Sequence, residues 1–404
     1  MIHLILLVMY KMKIKFFLVS YLTSFLFVAC QHSSRYISSV TTVDTIDIIR
    51  SVPNIEKYSN IFKQIDYIRI PYDNTFCIGK VNKLLVTDSL LFVMDRKISR
   101  GVYCFDSTGN SISAIHKTGV APGEYISMRN LFYGIDSEEI LIYAAIRQKM
   151  LHFSLNGTFL YETDLPFNSL RVEPIGGNCI IYNDYRINED LKWNGKYPNL
   201  ILWNPKENSV EFAADYFKAP AAKATLITSE PQFSKLNDTL YSIKPDHCNT
   251  VYHVTPHQIY PAYQLDFGPY NLDEEFWDMA SKKRMKFKTL DAYSDSRNLC
   301  ETFRFLEGED FLYFVCKQKK TVTHVFYSKK TKTLKQIAKF ENDMDDVTPF
   351  RPIAIYDDKL YGLLDSEEVY NMKEELKGIL PDTILENVQE FGNPIIAIFT
   401  LKPF

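Results

Sequence analysis

A pattern of short apolar runs occurs twice between Gly79 and Pro166, and the two copies lie 48 residues apart. Within each copy, residues that favour turns separate the apolar runs. A fixed period of this length indicates a repeat architecture, and four short strands per repeat are typical of a propeller blade. The matched positions are Asp88 and Asp136, Phe92 and Ile140, Phe105 and Phe153, and Gly109 and Gly157.

Looser copies follow along the chain, and the sixth, which ends at Leu401, shows three clear strands where four are expected. The alternating run Ile61–Ile70 supplies the missing strand. Pairing it with the last repeat would remove an exposed strand edge, which otherwise invites aggregation. We therefore predict an all-β fold over residues 61–404. It is a six-bladed β-propeller of four-stranded antiparallel blades, with Ile61–Ile70 as the outer strand of the last blade.

Two stretches interrupt the strand pattern and predict short helical inserts. The first, from Leu272 to Met285, has acidic residues at its start and basic residues at its end, which matches the helix dipole. The second runs from Ser366 to Ile379, with Ser366 as the predicted N-cap. Its apolar face would carry Val369, Met372, Leu376 and Ile379.

The first 29 residues have the order of a secretory signal peptide. A flank with three lysines precedes an apolar run from Phe16 to Ala29, which is short for a membrane span. Such a signal would be complete in a chain that starts at Met12. The polar residues that follow, up to about residue 60, predict a tether, and we expect residues 31–54 to make no strand pairing.

The end of this signal, Leu26 to Cys30, resembles the lipobox of bacterial lipoproteins. The resemblance implies cleavage before Cys30 and attachment of lipid to its side chain. It predicts a lipoprotein of the bacterial cell envelope, held at the outer membrane, and leaves open whether the protein faces the periplasm or the cell surface.

Charge and cysteine spacing exclude several function classes. The formal net charge is −3, so nothing global points to nucleic acid. The cysteines after Cys30 are widely spaced and show no CxxC pair, which disfavours a zinc site or a redox motif. Their oxidation state stays open for an exported chain. No common hydrolase, zincin or nucleotide-binding motif is present, so we predict no catalytic residue, metal or cofactor.

The segment between the first two repeats, Gly119 to Tyr125, predicts a stiff turn. Pro122 suits the first central position of a type II turn, and Gly123 suits the second, which needs a positive φ. We therefore assign structural roles to Gly119, Pro122, Gly123 and Glu124.

This segment also carries a resemblance to a known family. Gly119 to Tyr125 is similar to the G-x-GPGEY segment of the six-bladed β-propeller lipoproteins of Bacteroides-type bacteria. Asn237 to Tyr241, Thr250 to Val254 and the ending Asn393 to Ile398 extend the likeness over nearly the whole mature chain. The family is largely uncharacterised in function. The resemblance implies the fold and export, and it brings no catalytic residues.

A few groups of residues are of types that could bind a ligand or act in catalysis, but their spacing does not predict such a site. Asp246, His247, Cys248, His253 and His257 form the densest cluster of potential metal ligands. However, His253 lies in a predicted strand and Pro256 lies between it and His257, so the two histidines are not expected to share a helical face. The acidic pairs Glu138-Glu139 and Asp345-Asp346 are better explained as solvated turns than as glycosidase carboxylates. Arg129 and Arg147 could bind an anionic ligand or form surface ion pairs.

These observations favour a monomeric binding or scaffold module whose ligand is a glycan, a peptide or an envelope protein. Two alternatives stay open. An envelope glycan hydrolase or lyase would gather acidic residues around the propeller channel. A structural subunit of an assembly would expose a large apolar patch.

Overall fold

Six four-stranded antiparallel sheets form a ring, which confirms the predicted six-bladed β-propeller. The structure is a computed structural model. It describes residues 43–48, 54–134, 137–167, 169, 171–183, 188–216, 233–280 and 287–404. The unit that contains them runs from Val43 to Phe404. The N-terminal signal and Cys30 lie outside the described residues.

The first three blades follow one another along the chain, each built from four consecutive strands. Blade 1 consists of Lys83–Val86, Leu90–Asp95, Gly101–Asp106 and Ser111–Ile115; blade 2 of Asn130–Gly134, Glu139–Ala144, Lys149–Ser154 and Phe159–Asp164; blade 3 of Arg171–Ile175, Asn178–Tyr182, Pro198–Asn204 and Ser209–Tyr216.

Blades 4 and 5 repeat this order, and blade 6 takes its fourth strand from the beginning of the chain. Blade 4 consists of Phe233–Asn237, Leu240–Ile243, Thr250–Thr255 and Gln258–Asp266; blade 5 of Cys300–Glu307, Phe311–Gln318, Thr321–Ser328 and Leu334–Glu341; blade 6 of Ala354–Tyr356, Lys359–Leu364, Ile395–Leu401 and Phe62–Ile68.

The second strand of blade 1 shows why the middle strands are apolar on both faces. All of Leu90–Asp95 is buried. Phe92 packs in a cluster with Ile142 of blade 2, whereas its neighbour Val93 packs with Ile396 of blade 6. Because successive side chains of a strand point to opposite faces, each blade is buried between two neighbours, and the ring forms one continuous core.

The first strand of each blade lies at the centre of the ring. These strands contact one another from blade 4 through blades 5, 6, 1 and 2 to blade 3. The residues that begin each first strand therefore surround one mouth of the central channel.

Pairing of the two ends of the chain closes the ring, as the sequence predicts. Phe62–Ile68 runs antiparallel to Ile395–Leu401 at the outer edge of blade 6. Ile65 lies opposite Phe399 and Ile68 opposite Ile396. The two isoleucines are three residues apart and lie on opposite faces of the strand, where Ile65 packs with the cluster of blades 5 and 6 and Ile68 with that of blades 1 and 6.

The residues before this strand differ from the expected unpaired tether. Asp44–Asp47 pairs in parallel with the last strand of blade 4, and Asn54–Lys57 pairs in parallel with the last strand of blade 5. We call residues 43–48 and 54–68 the N-terminal strap. The strap pairs because Ile46 and Ile48 alternate with polar residues and are only 3% and 4% exposed. Thus strand pairing begins before residue 61.

The helical inserts were placed correctly, but their bounds were wrong. The first contains Glu274–Ala280 and a further helix, Phe287–Arg297, which the sequence pattern missed. In the second, the helix spans Ser366–Asn371 and its N-cap is Asp365, whose carboxylate accepts the backbone N–H of Glu367. Short helices also occur at Tyr58–Ile61 and Asp382–Leu385.

Ser366 is not the N-cap because its hydroxyl is used elsewhere. Ser366 is buried and donates to the carbonyl of Gly392 at 2.7 Å. The predicted apolar face is also too long, since the helix ends at Asn371 and Ile379 is 44% exposed. Within the described residues, no helix is long and apolar enough to cross a membrane.

The two faces of the ring carry very different connections. On one face, every link between strands has two to five residues, and we call it the hairpin face. On the other, which we call the long-connection face, links reach 14 residues at 116–129, 33 at 267–299 and 30 at 365–394. Since functional residues concentrate on loops held by a rigid scaffold, we expect a functional site on the long-connection face.

Candidate functional site

A polar network joins the first strands of blades 1, 2 and 3 at the mouth of the channel. The Lys83 ammonium donates to Asn130 Oδ1 at 2.7 Å and to Glu173 Oε1 at 3.2 Å. Asn130 Nδ2 in turn donates to Glu173 Oε1 at 2.9 Å. Asn130 and Glu173 are 6% and 5% exposed, so these bonds lie largely out of water and hold the three strands in fixed positions.

Three arginines lie beside this network, on the long-connection face. The backbone N–H of Arg96 donates to Asn82 Oδ1 at 3.0 Å, which holds Arg96 next to the start of blade 1. Arg129 directly precedes Asn130. Arg171 is two residues before Glu173 and therefore lies on the same face of that strand.

The guanidinium groups of Arg129 and Arg171 act on that of Arg96. Burial lowers the pKa of Arg96, and the positive charges of Arg129 and Arg171 lower it further. We call Lys83, Arg96, Arg129 and Arg171 the basic mouth.

Two arginines of the basic mouth carry positive charge that no described side chain pairs with. Glu173 is held by Lys83 and Asn130. Arg171 lies 5.5 Å from the ring centroid of Tyr182 and has other contacts. Across the described part of the chain, the side chains of Arg96 and Arg129 form no hydrogen bond or ion pair. The mouth is thus suited to a negatively charged group.

Sequence reasoning found one of these arginines and missed the other two. Arg129 was one of two candidates for anion binding. The sequence feature that indicates the mouth is the pair of polar residues at the start of the first strand of a repeat. The pairs Asn82-Lys83 and Arg129-Asn130 occupy equivalent places there, since Asn82 and Arg129 each donate a backbone N–H across to the second strand of their own blade.

The other candidate, Arg147, has a structural role. Its guanidinium donates to the carbonyls of Ala121 and Glu124, and it pairs with Glu162 at 3.4 Å. Arg147 therefore fixes the connection between blades 1 and 2.

That connection contains the predicted turn. The backbone N–H of Glu124 donates to the Ala121 carbonyl at 3.0 Å, and Gly123 has a φ of +77°. The Glu124 carboxylate accepts the N–H of Ala121 at 2.9 Å and lies over Gly119, where it would clash with an added Cβ. Pro122 is exposed at the turn.

We expect Gly123→Val to lower stability without changing any binding surface. A β-branched residue at positive φ costs about 1–3 kcal/mol of backbone strain. The new Cβ would also lie 2.6 Å from the ring of Phe159, and such overpacking adds about 1–3 kcal/mol. The matched control is Gly177→Val, because Gly177 has a φ of +83° and nothing within 4 Å of an added Cβ. Thermal unfolding should show the larger loss for Gly123→Val, and equal losses would contradict the packing argument.

The cluster of potential metal ligands does not come together. Asp246, His247 and Cys248 lie in the link between the second and third strands of blade 4, on the long-connection face. His253 contacts Glu307 at 3.2 Å, and His257 is exposed at a turn on the hairpin face. Among the described residues, no group of three or more ligands is placed to hold a metal ion.

A buried lysine near that link ties blade 4 to blade 5. Lys244 is 1% exposed, and its ammonium donates to the carbonyls of Pro245 and Thr302, both at 3.2 Å. Burial lowers its pKa. Because a ligand cannot reach this ammonium, we assign Lys244 a structural role.

One member of each acidic pair is occupied by structural contacts, and the other member, Glu138 or Asp346, is exposed. Glu139 accepts from His152 at 2.8 Å, and the buried Asp345 accepts the backbone N–H groups of Val347 and Thr348. On the inner strands, Glu173 and Glu307 are each paired with a lysine, and Glu301 lies 3.6 Å from His247. The six cysteines in the described part of the chain are free thiols in this structure: Cys77, Cys104, Cys179, Cys248, Cys300 and Cys316.

The chain belongs to the DUF4934 family, a domain of unknown function, whose pattern it matches over residues 43–400. The fold resembles that of a protein of Bacteroides fragilis whose name describes it as exported. The two share 17% identity and a TM-score of 0.70 over 90% of this chain and 100% of the other. A member of the DUF4221 family from Bacteroides vulgatus is 9% identical, with a TM-score of 0.46 over 84% of this chain and 98% of the other. No curated protein matches the sequence.

Proposed function

We propose that this protein is a monomeric binding module of the bacterial cell envelope that holds its ligand at the basic mouth. The observation that carries the proposal is the convergence of Arg96, Arg129 and Arg171 at the one channel opening that long connections surround. Rigid first strands position this site, as a binding site requires. The inner-strand carboxylates support binding rather than hydrolysis, since Glu173 and Glu307 are engaged by lysines and Glu301 lies beside His247.

The envelope location is supported by the sequence before the strap. A basic flank, an apolar run and Cys30 follow in the order of a lipoprotein signal. Export also agrees with the description of the Bacteroides fragilis protein that shares the fold.

We expect Cys30→Ser to move the protein out of the membrane fraction. Stable anchoring needs more than one acyl chain, and removal of the thiol removes the attachment point for the lipid. Fractionation of cells that express either form would measure this. The matched control is Ser24→Ala, which changes a hydroxyl residue of the same apolar run and leaves Cys30 in place. A Cys30→Ser protein that still requires detergent for extraction would show that another feature anchors the chain.

The binding role can be tested with purified residues 43–404. Acidic and neutral oligosaccharides, together with peptides, would be screened by calorimetry, and each mixture would then be analysed by mass spectrometry. We expect saturable binding of one ligand class with no change in ligand mass over time. A time-dependent cleavage product would instead support the alternative of an envelope glycan hydrolase or lyase.

A further inference from the structure

We infer that the basic mouth binds an oxyanion group, a carboxylate, sulfate or phosphate, carried by an acidic glycan. The inference rests on the proposed function in taking the mouth as the ligand site, and it adds the chemical class of the ligand.

The basic mouth carries positive charge that no described side chain compensates. Lys83 is paired with Glu173, and Arg171 has contacts of its own, which leaves the charges of Arg96 and Arg129. Asp95 is next to Arg96 in sequence, but its two oxygens are occupied by backbone N–H groups and the hydroxyl of Ser99.

This arrangement of charges is unfavourable in the free protein. Arg96 and Arg129 are half-buried, and among the described residues neither guanidinium has a hydrogen-bonding or ionic partner. Partly desolvated charges of one sign are unfavourable unless an opposite charge joins them. A bound anion would remove that penalty, so the mouth gains more from an anion than an exposed pair of arginines would.

The geometry of the arginine side chains also suits an oxyanion. A guanidinium presents its N–H donors in a planar fork that matches a carboxylate, sulfate or phosphate in bidentate fashion. Arg129 and Arg171 begin the first strands of two adjacent blades, and the Lys83–Asn130–Glu173 network fixes the spacing of those strands. The site is therefore formed before the ligand arrives, which lowers the entropic cost of binding.

The surroundings of the mouth favour a glycan over an acidic peptide. Peptide recognition commonly uses an open strand edge or an apolar groove. At the mouth, the groups that define the site are charged or amide side chains, and each first strand is the inner edge of its sheet, where the neighbouring first strands lie against it around the channel. The N-terminal strap further covers the outer edges of blades 4 and 5. A highly polar ligand such as an acidic sugar fits these features better.

The test compares charge-matched double variants of residues 43–404. Arg96→Gln with Arg129→Gln removes two charges from the mouth. Lys206→Gln with Lys330→Gln removes two exposed charges from the hairpin face and serves as the control. A third double variant, Arg96→Lys with Arg129→Lys, keeps the charge and loses the bidentate fork. Thermal unfolding would establish that each variant is folded.

The probes are tetragalacturonate, a chondroitin sulfate tetrasaccharide, neutral maltotetraose, tetraglutamate, and inorganic sulfate and phosphate. We expect an acidic oligosaccharide to bind, and to bind more weakly at about 0.15 M than at about 0.01 M ionic strength because salt screens the charges. The glutamine variant should lose about tenfold or more in affinity, as expected for charged hydrogen bonds. The control should bind normally, and the lysine variant should fall between the two.

Other binding results would contradict the oxyanion inference, the assignment to a glycan or the proposed function. Tighter binding of tetraglutamate, or binding of inorganic anions as tight as that of the oligosaccharides, would overturn the assignment to a glycan. If maltotetraose binds and the arginine variants bind it normally, the oxyanion inference is wrong while a binding function remains. If none of the probes and no ligand from the wider screen binds the folded domain, the proposed function fails together with the inference.

Discussion

Removal of residues 31–71 is expected to open the ring and to abolish cooperative unfolding. This deletion takes away Phe62–Ile68, the outer strand of blade 6, and exposes the edge of Ile395–Leu401. It also removes Tyr58 and Phe62 from an aromatic cluster that includes Phe350 and Phe399. An exposed apolar strand edge favours aggregation, so we expect a broad melt or precipitation.

A graded series of deletions separates the roles of the N-terminal strap. Deletion of residues 31–42 removes no described contact and should leave the melting temperature unchanged. Deletion of residues 31–54 also removes Ile46 and Ile48, which pack with Leu265 and Phe267. Each buried isoleucine contributes about 1.5–3 kcal/mol. The structure thus revises the expectation that this longer deletion is harmless.

Point variants test how much the packing of the N-terminal strap contributes to stability in a chain of full length. Ile46 is 3% exposed and Ile55 is 59% exposed, and both lie on strap strands. Ile46→Ala should cost about 2–5 kcal/mol, as other buried truncations do. Ile55→Ala should have little effect. Equal melting temperatures for the parent, both point variants and the deletion of residues 31–71 would show that the strap does not close the ring.

Asp95→Ala is expected to produce a large loss of stability. The Asp95 carboxylate is fully buried and accepts six hydrogen bonds. Five come from backbone N–H groups and one from a hydroxyl. They join the segment that enters blade 1 to the loop that carries Arg96. Each buried donor left without a partner costs about 1–3 kcal/mol, and water entering the cavity would satisfy some of them, so we expect about 3–5 kcal/mol.

Asp106→Ala is the matched control for this prediction. Asp106 accepts several hydrogen bonds from Thr108 and Asn110, but it does so at a turn on the hairpin face that water reaches. Water can replace its carboxylate, so the loss should be much smaller. Chemical denaturation of the two variants measures the difference. A loss for Asp95→Ala no greater than that for Asp106→Ala would contradict the structural role.

Asp95 is also expected to make the free energy of unfolding depend on pH. Burial raises the pKa of Asp95, but hydrogen bonds from Ile98, Ser99, Lys80 and Lys97 outweigh it, and the net pKa lies below the ordinary value of 3.8. The unfolded chain therefore binds a proton at a higher pH than the folded chain does. The contribution of Asp95 to stability is complete above about pH 4 and is lost as the pH falls through the folded pKa. Asp95→Ala should lack this part of the acid dependence.

Local patterns predicted the propeller because a blade is mostly a local structure. Four short strands and their turns lie within about one period, as Phe105 and Gly109 show when they recur at Phe153 and Gly157. The closing strand was predictable because its alternation identified a strand and the last repeat lacked one. By contrast, the pairing of Asp44–Asp47 depends on an apolar groove beside blade 4 that lies far away in sequence.

The basic mouth was harder to predict than the fold. Its arginines are separated by 33 and 42 residues in sequence, and only the ring brings them together. Arg129 and Arg147 looked equivalent as isolated basic residues. They differ because Arg147 donates hydrogen bonds to the carbonyls of a turn and pairs with Glu162, whereas Arg129 lies near another positive charge, that of Arg96. The Ser366 cap failed for a similar reason, since its distant partner Gly392 competes for the hydroxyl.

The most direct test of a ligand site at the basic mouth is hydrogen–deuterium exchange on residues 43–404, with and without the acidic oligosaccharide that binds most tightly. Ligand contacts slow amide exchange where they stabilise the backbone. The structure predicts added protection on the long-connection face, in the segments around Arg96, Arg129 and Arg171. Protection confined to the hairpin face, at residues 107–110, 155–158 and 176–177, would contradict it.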